Sequence, residues 1–150
     1  MRKKHRKIHV VGLNSFEFEN LSFKIQNLFH KIENIAVPKS YSNELKSWIS
    51  KESIENKNLF ESKSDNNLIE WLRSIDDEVI LISRGDPLWY GIGRILLKNF
   101  SQKEIFFYPS NTCIQQAFSK LKKSWQGTKV VSLHGRDSID LVKCLKLKEK

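Results

Sequence analysis

Runs of apolar residues in this chain alternate with segments in which apolar residues recur every three or four positions. The runs predict strands at residues 8–11, 35–37, 79–83, 105–108 and 128–133, with a weaker extended piece at 59–60. The periodic segments predict helices at residues 21–32, 45–49, 68–75, 88–100, 114–121 and 139–145. Because strands and helices alternate throughout, we predict an α/β fold with a mainly parallel sheet and flanking helices.

The net charge of +9 is concentrated at the two ends of the chain. Residues 2–7 contribute +5 and residues 143–150 contribute +3, which leaves 17 basic and 16 acidic residues in between. Because chain ends are commonly solvated, we interpret residues 1–7 as a basic tail. A basic nucleic-acid-binding domain is therefore kept only as an alternative, and we expect no nucleic-acid partner.

Length and composition indicate a folded chain without a membrane segment. A chain of 150 residues, 39% of them hydrophobic, is long enough to bury a core. Its apolar runs are far shorter than the roughly 18 residues of a membrane-spanning helix, and the run at 8–11 is too short for a signal peptide. We expect a cytoplasmic protein with no membrane partner. Cys113 and Cys144 lack the spacing of a disulfide framework or a metal site, so we expect ordinary thiols and no metal.

Three loops follow predicted strands at the end of the sheet where ligands of open α/β folds bind. They are Arg-Gly-Asp-Pro at 84–87, Pro-Ser-Asn-Thr at 109–112 and His-Gly-Arg at 134–136. Gly85 permits close approach of the backbone to a ligand. The tripeptide Gly-Asp-Pro is also typical of a plain turn with a helix cap, so it has two interpretations when taken alone.

The surroundings of that tripeptide resemble a known family. Residues 85–94 read Gly-Asp-Pro-Leu-Trp-Tyr-Gly-Ile-Gly-Arg, which resembles the signature of the tetrapyrrole methylases. The resemblance continues, in the same order along the chain, through Tyr-Pro-Ser-Asn-Thr-Cys-Ile-Gln-Gln-Ala-Phe at 108–118 and Val-Val-Ser-Leu-His-Gly-Arg at 130–136. Within the family it is nearest to the branch that methylates precorrin-6Y at ring carbon 5 in cobalamin biosynthesis.

The resemblance implies a methyltransferase that uses S-adenosyl-L-methionine (SAM) to C-methylate a corrin precursor. The family holds SAM in a cleft between an N-terminal and a C-terminal α/β domain, largely through main-chain groups. By position, Gly85, Asp86 and Trp89 are expected to line one side of the cofactor. Thr112 and Cys113 are expected to line another side. Methyl transfer is an in-line displacement that needs alignment and exclusion of water, so we assign no catalytic residue.

Arginines are the expected partners of the many carboxylates of a tetrapyrrole substrate, because guanidinium binds carboxylate bidentately. Arg136 and Arg94 are the candidates, and the alternative for Arg94 is a solvated helix face. For His134, a structural turn residue is favoured over a catalytic base. The expected partner is thus a small tetrapyrrole, with a homodimer mate or a further domain supplying the other half of the cleft.

The first loop and two neighbouring positions depart from the family pattern. The family's Gly-x-Gly-Pro-Gly is Gly-Leu-Asn-Ser-Phe at 12–16 here, and Ser110 replaces a glycine. Arg84 replaces a small residue, and a cation beside a sulfonium is unfavourable unless its side chain points away.

The resemblance also predicts the domain organisation. We expect a basic tail at 1–7, the N-terminal methylase domain at 8–126 and the start of a truncated second domain at 127–150. The 150 residues alone are then expected to lack methyltransferase activity. A non-catalytic interaction domain that keeps the same fold is the main alternative.

Overall fold

The computed structural model describes residues 6–14, 18–133 and 137–146 and divides the chain into two compact units, residues 1–111 and 112–150. The described residues form five strands: β1 (Ile8–Leu13), β2 (Asn34–Val37), β3 (Asn58–Glu61), β4 (Val79–Arg84) and β5 (Ile105–Tyr108). They also form six helices: α1 (Phe23–Lys31), α2 (Ser42–Lys51), α3 (Asp65–Ser74), α4 (Gly93–Asn99), α5 (Cys113–Leu121) and α6 (Ile139–Lys146).

The strands form one parallel sheet in the first unit, in the order β3-β2-β4-β1-β5. Strand β1 lies between two neighbours, with Ile8 opposite both Val79 and Ile105. Every residue of β1 is buried, as expected for a parallel strand with helices on both faces. The predicted α/β fold with a mainly parallel sheet is confirmed.

Each face of the sheet has its own hydrophobic core. On one face, Phe29 of α1 and Trp48 of α2 pack with Val11 of β1. On the other face, Leu72 of α3 and Leu96 of α4 belong to a separate buried cluster. Helix α1 follows β1 and α4 follows β4, so these adjacent strands send the chain to opposite faces of the sheet. That arrangement defines a topological switch point between β1 and β4.

The helix predicted at 88–100 begins only at Gly93, so its first turn was predicted wrongly. A tight turn begins at Pro87 instead, and the Pro87 carbonyl accepts a hydrogen bond from Gly93 N at 2.8 Å. Tyr90 in this turn has a φ of 53°, in the left-handed region. A residue in that conformation cannot continue a right-handed helix, which explains the later start.

The strand predicted at 128–133 is not formed. A strand needs a hydrogen-bonded neighbour, and none of the five strands in the described residues pairs with this segment. Its apolar side chains instead border a cavity of about 340 Å³ together with residues of α5 and α6. Val130 and Val131 were predicted to lie in a strand. Their apolar side chains instead line this cavity.

The second unit, taken by itself, contains α5 and α6. Thr112 caps α5 through its hydroxyl, which accepts from Gln115 N at 3.2 Å, while the Gln115 side chain accepts from Thr112 N at 2.7 Å. Several large apolar side chains in this unit are exposed: Leu121, Trp125, Leu133, Ile139, Val142 and Leu145. Across the described part of the chain, no helix has the length and apolar character needed to cross a membrane.

Candidate functional site

The switch point places two loops side by side at the carboxyl end of the sheet. Leu13, the last residue of β1, pairs with Arg84, the last residue of β4. One residue further on, Gly85 N donates a hydrogen bond of 2.6 Å to Leu13 O. A backbone hydrogen bond therefore joins the loop after β1 to the loop after β4. Together these two loops form the candidate site, which we call the crevice.

Gly12 is required by the packing of these loops. A Cβ atom added there would lie 2.5 Å from Gly85 O, 3.0 Å from Pro87 Cδ and 3.0 Å from Ser110 Cβ. A contact of 2.5 Å to a backbone oxygen forces the backbone to move. Gly12 thus allows the loops after β1, β4 and β5 to meet.

Gly85 has the opposite surroundings. Its φ of 63° is left-handed, and among the described residues an added Cβ would meet only Asn14 Oδ1, at 3.6 Å. Glycine adopts this φ without strain, and the open side leaves its backbone accessible. This geometry suits close approach of a ligand, which is the role predicted for Gly85 from the sequence.

Asp86 and Trp89 lie in the turn that follows. The Asp86 carboxylate Oδ1 accepts from Leu88 N at 2.9 Å and from Trp89 N at 3.1 Å. Asp86 therefore acts as a turn cap, which was one of the two interpretations of the tripeptide. The Trp89 ring is exposed and meets Tyr90 edge to face, with centroids 5.3 Å apart. Gly85, Asp86 and Trp89 are thus brought together, and the Trp89 ring is accessible to a flat ligand group.

The other two glycines of the motif support this turn. An added Cβ at Gly91 or at Gly93 would lie 2.7 Å from Pro87 O. At Gly93 it would also lie 2.8 Å from Leu88 Cδ2. Gly91 and Gly93 therefore allow the motif's own turn to pack tightly.

Two of the departures from the family pattern are in contact with each other. Asn14 Nδ2 donates to Ser110 Oγ at 2.7 Å and also to Asn111 O. A carbonyl oxygen only accepts hydrogen bonds, so the bond to Asn111 O requires the NH2 group of the Asn14 amide, and not its oxygen, to face Asn111. The loops after β1 and β5 are tied by side chains that replace two family glycines. Sequence reasoning treated the two positions separately and missed this pair.

The third departure, Arg84, points toward the neighbouring strand β2. Its guanidinium Nη2 donates to Ser40 Oγ at 2.7 Å, in the 3-10 turn Lys39–Tyr41 that follows β2. Strand β4 lies between β2 and β1, so the guanidinium is on the opposite side of β4 from the loop after β1. The predicted repulsion of a cofactor sulfonium is reduced by this orientation.

Tyr41 supports the same corner of the crevice. Its hydroxyl donates to Leu13 O at 3.2 Å. Burial raises the pKa of the Tyr41 phenol, and the positive charge of Arg84 acts in the opposite direction. Leu13 O thus receives bonds from both Tyr41 and Gly85, so the end of β1 is held firmly. No pattern in the sequence indicated that Tyr41 contributes to the site.

The remaining predicted site residues lie in other parts of the chain, and their roles stay predictions. Thr112 and Cys113 begin the second unit, where Thr112 caps α5 and Cys113 is exposed. Arg94 is exposed on α4. Arg136 and His134 lie outside the described residues. Within the residues that are described, no three His, Cys, Asp or Glu side chains are grouped as a metal ion would require.

The sequence is similar to two curated methyltransferases, while no family model matches it. It is 30% identical over 82 residues to a precorrin-6Y C(5,15)-methyltransferase (decarboxylating) from Sinorhizobium sp, covering 55% of this chain and 20% of that protein. It is 31% identical over 104 residues to a "Probable cobalt-precorrin-7 C(5)-methyltransferase" from Methanocaldococcus jannaschii, covering 69% of this chain and 40% of that protein. The chain thus spans a fifth and two fifths of these relatives.

Two solved structures share the fold. A cobalamin-biosynthesis precorrin-6Y methylase from Archaeoglobus fulgidus matches with a TM-score of 0.64 at 22% identity, covering 88% of this chain and 67% of that one. A protein described as related to cobalamin synthesis, from Corynebacterium diphtheriae, matches with a TM-score of 0.58 at 16% identity, covering 83% and 62%.

Fold and crevice together define an open α/β domain, and its fold is shared with the precorrin-6Y methylase from Archaeoglobus fulgidus. Within that class, the chain is similar to the precorrin-6Y methyltransferase branch, so the resemblance predicted from the loop sequences is confirmed.

Proposed function

We propose that this chain supplies cofactor-binding residues of a SAM-dependent methyltransferase that C-methylates a corrin precursor of the precorrin-6Y type in cobalamin biosynthesis. The observation that carries the proposal is the open, left-handed Gly85 at the switch point, inside the segment that resembles the family. The names of the two curated relatives support the reaction and the substrate class. A further domain or a second copy of the chain is proposed to supply the other wall of the cleft.

The residues of the crevice fit a nucleoside ligand such as SAM. In the described part of the chain, only Asn14 Oδ1 lies near the position that a side chain at Gly85 would take, so backbone groups there are within reach of a ligand. Trp89 presents an exposed indole on which a purine can stack. Gly85, Asp86 and Trp89 are proposed to hold one side of the cofactor, and Thr112 and Cys113 remain candidates for another.

The proposed reaction requires little chemistry from these residues themselves. When bound, SAM supplies a methyl group on a sulfonium, which an electron-rich ring carbon attacks in line. The protein has to align the two groups and exclude water. The bonds from Gly85 and Tyr41 to Leu13 O fix the loop positions for that task. Arg94 and Arg136 remain candidates for the substrate's carboxylates.

The test is the affinity of the whole chain for S-adenosylhomocysteine (SAH), measured by titration calorimetry. Valine is unsuitable at Gly85, because a φ of 63° strains a β-branched residue. Asparagine tolerates left-handed backbone, so Gly85→Asn is expected to fold while its side chain fills the open side. We expect SAH affinity to fall by about tenfold or more, since the ligand loses close approach to the backbone.

Gly127→Asn is the matched control, because Gly127 has a φ of 75° and no atom within 4 Å of an added Cβ. It is expected to bind SAH like the unmodified chain. Unchanged affinity in a folded Gly85→Asn protein would refute the assigned site. A folded chain that binds no SAH even at millimolar ligand would instead favour the non-catalytic interaction domain.

A further inference from the structure

Arg84 is a cation at the edge of the crevice without an acidic partner. It is exposed, and its one recorded hydrogen bond goes to the Ser40 hydroxyl. In residues 6–14, 18–133 and 137–146, every ion pair within 4 Å involves other side chains. Its charge is therefore not used to stabilise the described structure.

Carboxylates at the same end of the sheet are engaged by other groups. Asp86 accepts from two backbone amides of its own turn. Glu61, at the end of β3, accepts from the Ser42 hydroxyl and lies 3.7 Å from Lys46 Nζ. Neither acid neutralises Arg84, so among the described residues its positive charge has no acidic partner.

The guanidinium is also held in position. Of its five N–H donors, one is given to Ser40, and none of the others bonds to a described residue, which leaves them for a planar, bidentate acceptor. An arginine anchored in this way loses less side-chain freedom when it binds a ligand. Its positive charge already acts on the neighbouring Tyr41 phenol.

We propose that Arg84 binds a carboxylate of the ligand that occupies the crevice. This inference rests on the proposed function, because both ligands of such an enzyme carry carboxylates: the tetrapyrrole has several, and the methionine part of SAM has one. Arg94, the candidate from the sequence, lies on α4 beyond the turn and has no side-chain hydrogen bond or ion pair recorded among the described residues. Arg84 has the better placement, because it ends β4 directly before Gly85 and its guanidinium lies beside the turn that follows β2.

The experiment measures binding of four probes to the whole chain and its variants. Uroporphyrin, a porphyrin with eight carboxylates, reports on the substrate source by its fluorescence. SAH and 5′-methylthioadenosine, which lacks the amino-acid part of SAH, report on the cofactor source by calorimetry. Inorganic sulfate, titrated as a competitor, reports simple attraction of anions. The variants are Arg84→Gln, Arg84→Lys and the charge-matched control Arg73→Gln, since Arg73 is also exposed and also donates one side-chain hydrogen bond to a neutral partner, Asn99 Oδ1 at 2.9 Å.

Arg84→Gln is expected to lower the affinity for the carboxylate ligand that Arg84 binds by about tenfold, since a charge-assisted, bidentate contact is lost. Arg84→Lys is expected to recover only part of that affinity, because an ammonium lacks the planar fork. A loss confined to uroporphyrin assigns the contact to the substrate. A loss for SAH but not for 5′-methylthioadenosine assigns it to the cofactor.

Unchanged affinity of Arg84→Gln for both uroporphyrin and SAH would overturn the proposal. An equal loss in Arg73→Gln, or full competition by sulfate, would also overturn it, by showing nonspecific attraction to a basic protein. Failure of the proposed function gives a different result, in which the unmodified chain binds neither SAH nor 5′-methylthioadenosine. Arg84-dependent binding of uroporphyrin would then still stand by itself.

Discussion

The two ends of the sheet are built on different principles. At the carboxyl end, the crevice depends on glycine backbone geometry, and Arg84 forms no ion pair with any described residue. At the amino end, charged side chains and His9 pair with one another, in a group that we call the amino-end cluster: Arg6, Lys7, His9, Glu78 and Glu104. One end leaves groups available to a ligand, whereas the other uses its groups internally.

The contacts of the amino-end cluster are close. Lys7 Nζ donates to Glu78 Oε1 at 2.6 Å, and His9 Nδ1 lies 2.9 Å from the Tyr108 hydroxyl. The hydrogen bond from Lys7 lowers the pKa of Glu78. Burial lowers the pKa of His9, although attraction to Glu78 opposes this. Arg6 lies 3.3 Å from Glu104.

This comparison revises the interpretation of the basic segment 1–7. Arg6 and Lys7 were expected to belong to a solvated tail, but both are held by acidic partners. Residues 1–5 lie outside the described residues. The paired charges therefore contribute to the fold of the first unit, and the unpaired Arg84 is the better indicator of ligand chemistry.

The largest effect is expected from a substitution at Gly12 that disrupts the packing of the crevice. In Gly12→Ala the new Cβ would lie 2.5 Å from Gly85 O, so the loops after β1 and β4 must separate. We expect a loss of about 2 to 3 kcal/mol in the free energy of unfolding, measured by urea denaturation, together with loss of SAH binding.

Gly127→Ala serves as the control for Gly12→Ala. Its φ of 75° strains alanine, but an added Cβ meets nothing within 4 Å. We expect a cost of roughly 1 kcal/mol from backbone strain alone and no change in SAH affinity. Equal destabilisation by both variants would contradict the contact-based account of Gly12.

The parts of the fold predicted from sequence are those that local pattern determines. Strand β4 was predicted at 79–83 and spans Val79–Arg84, because a continuous apolar run signals burial on both faces. The weak piece at 59–60 became β3 (Asn58–Glu61). Helix α2 extends to Ser42–Lys51, beyond the predicted 45–49, since polar residues at helix ends carry no periodic signal.

The features that were missed depend on neighbours distant in the sequence. The segment 128–133 has strand-like composition but no pairing partner among the five strands of the described residues. Asn14 and Ser110 are 96 positions apart and meet only because β1 and β5 are adjacent. The orientation of Arg84 likewise depends on Ser40, 44 positions away. A single sequence specifies the strands but does not give these side-chain partners.

A smaller effect is expected at the Asn14 and Ser110 pair, which tests whether side chains as well as glycines hold the crevice. Asn14→Ala and Ser110→Ala each remove the bond of 2.7 Å between the loops after β1 and β5. Because either change removes the same bond, the double variant is expected to lose less than the two single losses added together, by about 0.5 to 1 kcal/mol. Urea denaturation of the four proteins measures this coupling.

Ser64→Ala provides the comparison for that cycle. The Ser64 hydroxyl caps α3 by accepting from Asn67 N and shares no partner with Asn14. Its loss is expected to add to that of Asn14→Ala without coupling. Strict additivity of Asn14→Ala and Ser110→Ala would show that the bond between these two side chains does not hold the loops together.

The smallest effect is expected at the amino-end cluster, where Glu78→Gln removes a charge paired with Lys7. The two side chains are 32% and 46% exposed, so solvent screening limits the pair to about 0.5 kcal/mol of stability at pH 7. The folded chain holds the pKa of Glu78 below its usual value through the Lys7 hydrogen bond. The contribution is therefore complete above the ordinary carboxyl pKa of about 4.3 and is lost as the pH falls through the lower folded value. Urea denaturation at pH 7 and at progressively lower pH should show the unmodified chain and Glu78→Gln converging in acid, whereas exposed Glu52→Gln should match the unmodified chain throughout. SAH affinity should be the same in all three proteins, and a weakened affinity in Glu78→Gln would mean that the two ends of the sheet are not separate in function.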